Sequence, residues 1–596
     1  MRKPISLLLI IAFLVPAATA RQEGRDKTQG GARGAEAAQR KAQAVEILKS
    51  VVEGATEIRE TESRIAILSS ALDLLWKHDE VYARANFIKS ANNLSERFAS
   101  SDTKGQERSE IRAAMGVLLK AFARRDPQGA ELLLDKFQKL LKGVLKGNSI
   151  SPEERLSLAQ AGLESDTVQS AALAAKVLEM DVPGSFPAYL NELERRDAAA
   201  AASLFRVALS ILASKSVYNP PKVIVLSAYA FRESQMSVPM TAGGRGGAPI
   251  EFGMFASPLS PPSRDLNRAL ATAYLAAAGT YLNAEAAALE QRGDPDAIQV
   301  AICYFLVKKL RGYVDKLGLG SGQAWMVLDA KFAALAERAK LNESALSGLA
   351  TSAQRIVTEN NVFRFDGGDA ALSAAEKAND PAERAELLAN GVRQLIDEGK
   401  YAEAVQRIAG IRDEKLRDQL NDYLNFHTAE ASIRKLDWNS FNGQVNRVSD
   451  PRLRPYLLLS AARAAGNARK KEMSSEFLLA AIASFPKIED PETKAAALVT
   501  MAGILFAMDT TWGAQVLIEG VNAINRADRY RGGVYGVMLE VPPKFKRWLP
   551  LPNSDLGHSF EQAAKHDWQG SLAAAQAINS KELQSQAYIA ACRSVL

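Results

Sequence analysis

The chain has 596 residues, of which 47% are hydrophobic, 24% charged and 7% aromatic, and 100 are alanine. Alanine is the best helix former and a poor strand former, so this composition excludes an all-β protein and disfavours a parallel-sheet enzyme. Lys and Arg number 74 against 68 Asp and Glu, a net +6, and the hydrophobic content is too high for a disordered chain.

The N-terminus reads as a targeting segment. Arg2 and Lys3 precede the apolar run Ile5 to Val15, and Ala18-Thr19-Ala20 is a small-residue cleavage site. The run is shorter than the roughly 20 residues that a membrane span needs. The expectation is an exported chain, periplasmic or secreted, cleaved after Ala20, with residues 1–20 as signal peptide. Removing Arg2 and Lys3 takes the balance from +6 to +4. Residues 21–40 are polar and Gly-rich and predict a flexible leader.

From Lys41 the apolar spacing becomes helical. Ile65, Leu68, Leu72, Leu75 and Trp76 share one helix face, as do Leu133, Phe137, Leu140, Leu141 and Val144. Asp126-Pro127, Asp166 and Asp197 each separate two such runs. Aspartate caps a helix N-terminus and proline fits its first position, so these mark the second helices of hairpins. Residues 41–215 are therefore expected to form an N-terminal helical array. The short run Val223-Ile224-Val225 has the look of a strand.

Residues 216–265 predict a Gly/Pro-rich insertion, centred on Gln235 to Pro262. Just before that centre, Arg232-Glu233-Ser234 resembles the R-x-E-S entry of lytic transglycosylases, in which a glutamic acid protonates a glycosidic oxygen. The resemblance implies Glu233 as a general acid. The arginine here directly precedes the glutamate, and the family's following Gly-Leu-Met-Gln element is absent.

Residues 266–360 form a central helical region. Within it Gly318 to Gly322 lacks both the preceding strand and the Lys-Ser/Thr of a phosphate loop, and reads as a helix C-cap and linker. Cys303 reads as a buried small hydrophobe and Cys592 falls in the last helical turn; the sequence does not decide whether they pair. The four histidines, His78, His427, His558 and His566, show no metal-ligand spacing, so they read as structural or solvated, with no metal and no cofactor expected.

Residues 361–596 carry C-terminal repeats. Segments starting at Tyr401, Trp438 and Trp568 align without gaps. Each opens on that aromatic, reaches an aliphatic ten residues on (Ile411, Val448, Ile578), then a cap (Asp413, Asp450, Ser580) and a leucine (Leu416, Leu453, Leu583). Asp380-Pro381 and Asp490-Pro491 mark diverged copies. These aromatics, with Trp512, are read as packing anchors and the caps as structural. Val541 to His558, with four prolines, predicts a second break. The basic clusters Ala468 to Lys471 and Lys544 to Trp548 are too short for a nucleic-acid patch and read as solvated helix faces.

The fold class expected is all-α, an α/α solenoid of stacked hairpins with a period of about 31–45 residues and two Gly/Pro-rich loop insertions. The run Pro183 to Leu212 and the C-terminal repeats resemble exported helical-repeat proteins of soil bacteria, and tetratricopeptide-type arrays generally. The tetratricopeptide consensus W-x2-L-G-x2-Y with a closing proline is not met, and the resemblance implies a fold with no activity attached. The functional expectation is a scaffold binding a protein or peptide partner without catalysis, with neither nucleic acid nor membrane insertion involved. The alternative is an enzyme cleaving cell-wall or extracellular glycan, with Glu233 as its acid.

Overall fold

The computed structural model describes residues 29–100, 102–144, 150–214, 220–231, 241–243, 249–251, 267–292, 295–318, 322–339, 368–378, 380–485, 488–541 and 545–596. The first stretch of helices is α1 (Gln29–Gly54), α2 (Thr61–Leu75), α3 (Glu80–Ala99), α4 (Gly105–Ala123), α5 (Pro127–Val144), α6 (Pro152–Gly162), α7 (Thr167–Met180), α8 (Phe186–Arg196), α9 (Ala198–Ser214) and α10 (Pro220–Phe231). Two three-residue strands follow, β1 (Thr241–Gly243) and β2 (Pro249–Glu251), then α11 (Arg268–Glu290), α12 (Ala297–Leu317) and α13 (Gly322–Arg338). The last stretch is α14 (Gly368–Lys377), α15 (Pro381–Asp397), α16 (Tyr401–Ala409), α17 (Glu414–Lys435), α18 (Trp438–Val445), α19 (Leu453–Asn467), α20 (Lys471–Ser484), α21 (Pro491–Phe506) and α22 (Thr510–Ile524). It ends on the hairpin β3 (Gly536–Val541) and β4 (Phe545–Pro550), then α23 (Leu556–His566), α24 (Trp568–Gln576) and α25 (Lys581–Arg593).

Capping sets the rhythm of the turns. The carboxylates of Asp79, Asp126, Asp166 and Asp197 accept backbone N–H groups at the starts of α3, α5, α7 and α9. Those four positions step by 47, 40 and 31 residues, so the hairpins follow one another without a fixed period.

Helices pack on their sequence neighbours and on their next-but-one neighbours, which sorts them into two layers. One contains α2, α4, α6, α8 and α10; the other α3, α5, α7, α9, α11 and α13. In the C-terminal part α15, α17, α19, α21, α23 and α25 pack serially in the same manner. The last of them, α25, lies against both α1 and α2. The layer that begins at α15 therefore runs across the chain's two ends and on into α2 to α10. The described protein is all-helical apart from two small hairpins, and its successive helix pairs stack as in a helical-repeat fold.

The core follows the same course. One cluster runs from Ala44 to Ala336 and takes in Ala564, Trp568, Ile589, Ala591 and Cys592 from the C-terminal helices. A second runs from Leu372 to Ala590, and a small third one joins Ala375, Ala378 and Leu387. Small residues let the helices approach: Ala461, Ala462 and Ala465 on α19 are fully buried, and a Cβ on Gly513 of α22 would lie 3.0 Å from the Phe506 backbone of α21.

Four expectations need correction. The first helix starts at Gln29, inside the stretch read as a flexible leader. Val223, Ile224 and Val225 lie within α10, which packs on α8, α9 and α11 and so belongs to the array; an apolar triplet cannot report its own period, and its neighbours make it helical. Val541 to His558 holds β4 and the start of α23 rather than one structureless break. Lys546 to Trp548 therefore lie on a strand, and the cluster there is no helix face. Most of Gln235 to Pro262 lies outside the described residues.

Candidate functional site

The repeat anchors are spread along the array and do not converge. Tyr401, Trp438 and Trp568 are the first residues of α16, α18 and α24. Trp438 packs on Phe477 with ring centres 5.5 Å apart. Trp512 is the third residue of α22. Asp413 accepts the Leu416 N–H at the start of α17, and Ser580 that of Leu583 at the start of α25. Asp450 differs. Its carboxylate takes the N–H and the guanidinium of Arg452, and α19 starts only at Leu453. Glu233 lies outside the described residues.

The remaining sequence candidates are also separate. Gly318 closes α12 with a left-handed φ of 60°. His558 and His566 stand at opposite ends of α23, and no group of three His, Cys, Asp or Glu side chains suited to a metal ion occurs among the described residues. Cys303 and Cys592 are both free, buried thiols, and burial pushes Cys592 up to about 12. A cleft of about 520 Å³ opens between α4 and α6, but at its rim Arg112 holds both carboxylate oxygens of Glu154, at 3.0 and 2.8 Å.

A polar tract does converge, on three neighbouring helices of one layer. It comprises Asn390, Arg393 and Asp397 on α15, Tyr423, His427, Glu430 and Arg434 on α17, and Tyr456, Ser460 and Arg463 on α19. Within each helix the spacing is three or four, which places the residues on one face. The hairpin lies over this tract, with β3 packed against α17 and α19. Residues directly opposite in an antiparallel pair share a face. Val537 pairs with Leu549 and Leu539 with Arg547. Val537, Leu539 and Leu549 are buried, so Arg547 shares the face turned toward α17 and α19, at whose edge its side chain is exposed. Beyond β4, the Arg463 guanidinium donates to the Pro552 carbonyl and ties the tract to the hairpin's exit.

Hydrogen bonds organise one side of the tract. The Tyr423 hydroxyl donates to Asp397 Oδ1 at 2.7 Å, and Arg393 reaches Asp397 Oδ2 at 3.2 Å. His427 stacks beside Tyr423 with ring centres 4.4 Å apart. Its nitrogens lie 4.0 Å from Asp397 and 3.9 Å from Glu430, too far for hydrogen bonds. His427 is 8% exposed, and its Nε2 has no hydrogen-bond partner, nor has the Nδ2 of the buried Asn390.

Electrostatics follow from burial and from the arginines. Burial lowers His427 to about 4; Asp397 opposes this, while Arg547 and Arg434 add to it. At neutral pH the imidazole is uncharged, so its approaches to Asp397 and Glu430 are not ion pairs. Burial holds the Glu430 carboxyl above the usual range even though Arg434 and Arg547 pull it down. Burial raises Tyr456 to about 12 and lowers Arg463. Arg547 is close enough to bias Tyr423, His427, Glu430 and Tyr456 together. The tract is not legible in the sequence: His427 and the cluster Lys544 to Trp548 stand far apart, and no local spacing joins them.

No protein-family model matches the chain, and no curated protein matches it. A solved structure described as a circular tandem repeat protein with novel repeat topology and enhanced subunit contact surfaces aligns with 94% of this chain and 97% of its own, at 10% identity and a TM-score of 0.13. A likeness at that superposition assigns neither a partner nor an activity.

Proposed function

We propose that this chain is an exported helical scaffold, cleaved after Ala20, that binds a protein or peptide partner without catalysing a reaction. The observation that carries the reading is the polar tract across α15, α17 and α19. Helices that stack into an array bury apolar faces, and a face that instead gathers Tyr423, His427, Glu430, Arg463 and Arg547 beneath a hairpin is spent on recognition. Helical arrays present extended surfaces of this kind and supply no chemistry by themselves. Among the described residues no helix is long and apolar enough to cross a membrane.

The test is selection of binders from a random peptide display library with the full-length chain. Selected peptides are expected to compete with one another and to slow hydrogen exchange in α15, α17, α19 and the β3–β4 hairpin. Failure to enrich any peptide, or footprints confined to other helices, would overturn the reading.

A further inference from the structure

We propose that the group recognised beneath the β3–β4 hairpin is a carboxylate, presented by an acidic segment of the partner and held by Arg434, Arg463 and Arg547. This rests on the peptide-binding reading above and adds its chemistry.

Asp397 is already engaged by Tyr423 and Arg393. That leaves Glu430 as the acid facing Arg434 and Arg547, and burial disfavours its ionised form. Among the described residues, neither Arg434 nor Arg547 makes an ion pair within 4 Å, and Glu430 has only the uncharged His427 ring at 3.9 Å. Arg463 is aimed by its bond to the Pro552 carbonyl, a neutral acceptor. Three guanidinium groups thus border this face, Arg463 half-buried and Arg434 and Arg547 exposed, and among the described residues Glu430 is the one carboxylate beside them that is not already engaged. His427 and Asn390 add buried polar atoms without hydrogen-bond partners. A guanidinium presents a planar fork that fits a carboxylate in bidentate fashion, and such charge-assisted bonds are about twice as strong as neutral ones.

The source of the anion follows from the placement. Arg547 is exposed but shares the hairpin face of its cross-strand partner, the buried Leu539, while Arg463 is half-buried at the hairpin's exit, and a flat bilayer surface does not meet both at once. A nucleic-acid backbone needs an extended row of cations. The chain carries a net charge of only +6, and Lys544 to Arg547 is among its densest basic clusters. An extended acidic peptide fits both constraints.

The experiment uses the full-length protein and three fluorescein-labelled decapeptides of equal length, alternating Gly with Glu, Ser or Lys, read by fluorescence anisotropy. The Glu peptide is expected to bind best and to weaken as salt rises. Arg547→Ala and Arg434→Ala should each weaken it about tenfold, the equivalent of one charge-assisted bond. Arg547→Lys keeps the charge but loses the fork and should fall between. Arg195→Ala, on the distant α8, should bind as the parent does, and thermal melts verify that each variant is folded. Equal binding of the Glu and Ser peptides, insensitive to the arginine variants, overturns the carboxylate assignment and leaves the scaffold reading standing. If no peptide of any charge binds and none emerges from the display selection, both fall. Binding to anionic lipid vesicles in place of the Glu peptide also overturns the assignment.

Discussion

His427 shows how one buried side chain couples the tract to pH. Facing it are Asp397 from α15, Tyr423, Glu430 and Arg434 from its own helix, and Arg547 from β4. Its folded value of about 4 lies below the 6.5 of an unperturbed imidazole. Below pH 6.5 the unfolded chain takes a proton that the folded chain refuses, so this contribution is complete above pH 6.5 and drains away as pH falls toward 4. The full shift corresponds to about 3 kcal/mol. Glu430 works in the opposite sense. Its folded value is raised, so its contribution is present at low pH and is lost as pH rises through that value. The expected outcome is a melting temperature that declines between pH 6.5 and 4, less steeply in His427→Asn and more steeply in Glu430→Gln. Parallel profiles for all three proteins would show that His427 does not titrate as a buried neutral group.

At the scale of elements, what was legible was local. Asp126, Asp166, Asp197, Asp413 and Ser580 cap helices in the structure because a side-chain acceptor beside its own helix start needs no distant partner. Asp450 shows the limit. The same residue type two positions before Arg452 meets a competing fork, and the helix begins later. The β3–β4 hairpin leaves a trace in the alternation of Val537, Leu539 and Val541, but the prolines of Val541 to His558 point to a loop. The polar tract left less, since it is assembled from α15, α17, α19 and β4, whose residues lie up to 157 positions apart (Asn390 to Arg547). The hairpin in turn depends on one glycine. A Cβ on Gly536 would lie 2.5 Å from the Trp548 ring and 2.6 Å from the Leu549 carbonyl oxygen, and the latter, being backbone, has little room to give. Gly536→Ala should therefore spread the strands, cost about 1–3 kcal/mol in denaturant melts and weaken Glu-peptide binding although no arginine is touched. Unchanged stability and unchanged binding would mean that the hairpin's pairing does not position Arg547.

For the molecule as a whole, the consequential feature is that its first and last helices pack together. Trp568 Nε1 donates to Gln43 Oε1 at 2.9 Å, the Cys592 thiol to the Ala44 carbonyl at 3.5 Å, and Lys581 lies 3.5 Å from Glu57. α1 packs against both α25 and α2, covering α25 as a following repeat would. A stacked array needs its terminal units covered, since each unit buries its apolar face on the next. Here the N-terminal helix performs that service for the C-terminal hairpin, and the two large hydrophobic clusters are joined through it: Tyr588 packs on both. Gly30, Gly31 and Gly34 are weak helix formers, and Gly34 to Gln39 are exposed; the docked part of α1 begins at Gln43 and Ala44, beyond the stretch whose composition points to a leader. Cys592 reports directly on this seam. It is 0% exposed, and its thiol is held in the unreactive protonated form by burial. In the intact chain both cysteines should resist a thiol-specific alkylating reagent. Deleting residues 29–54 should open Cys592 to rapid labelling and lower the melting temperature of the C-terminal part, while Cys303, inside α12 and far along the array, stays protected and shows that the rest remains folded. Cys592 unreactive after that deletion would mean that α1 does not cover the last hairpin, and labelling of both cysteines at once would mean that the seam holds the entire array together.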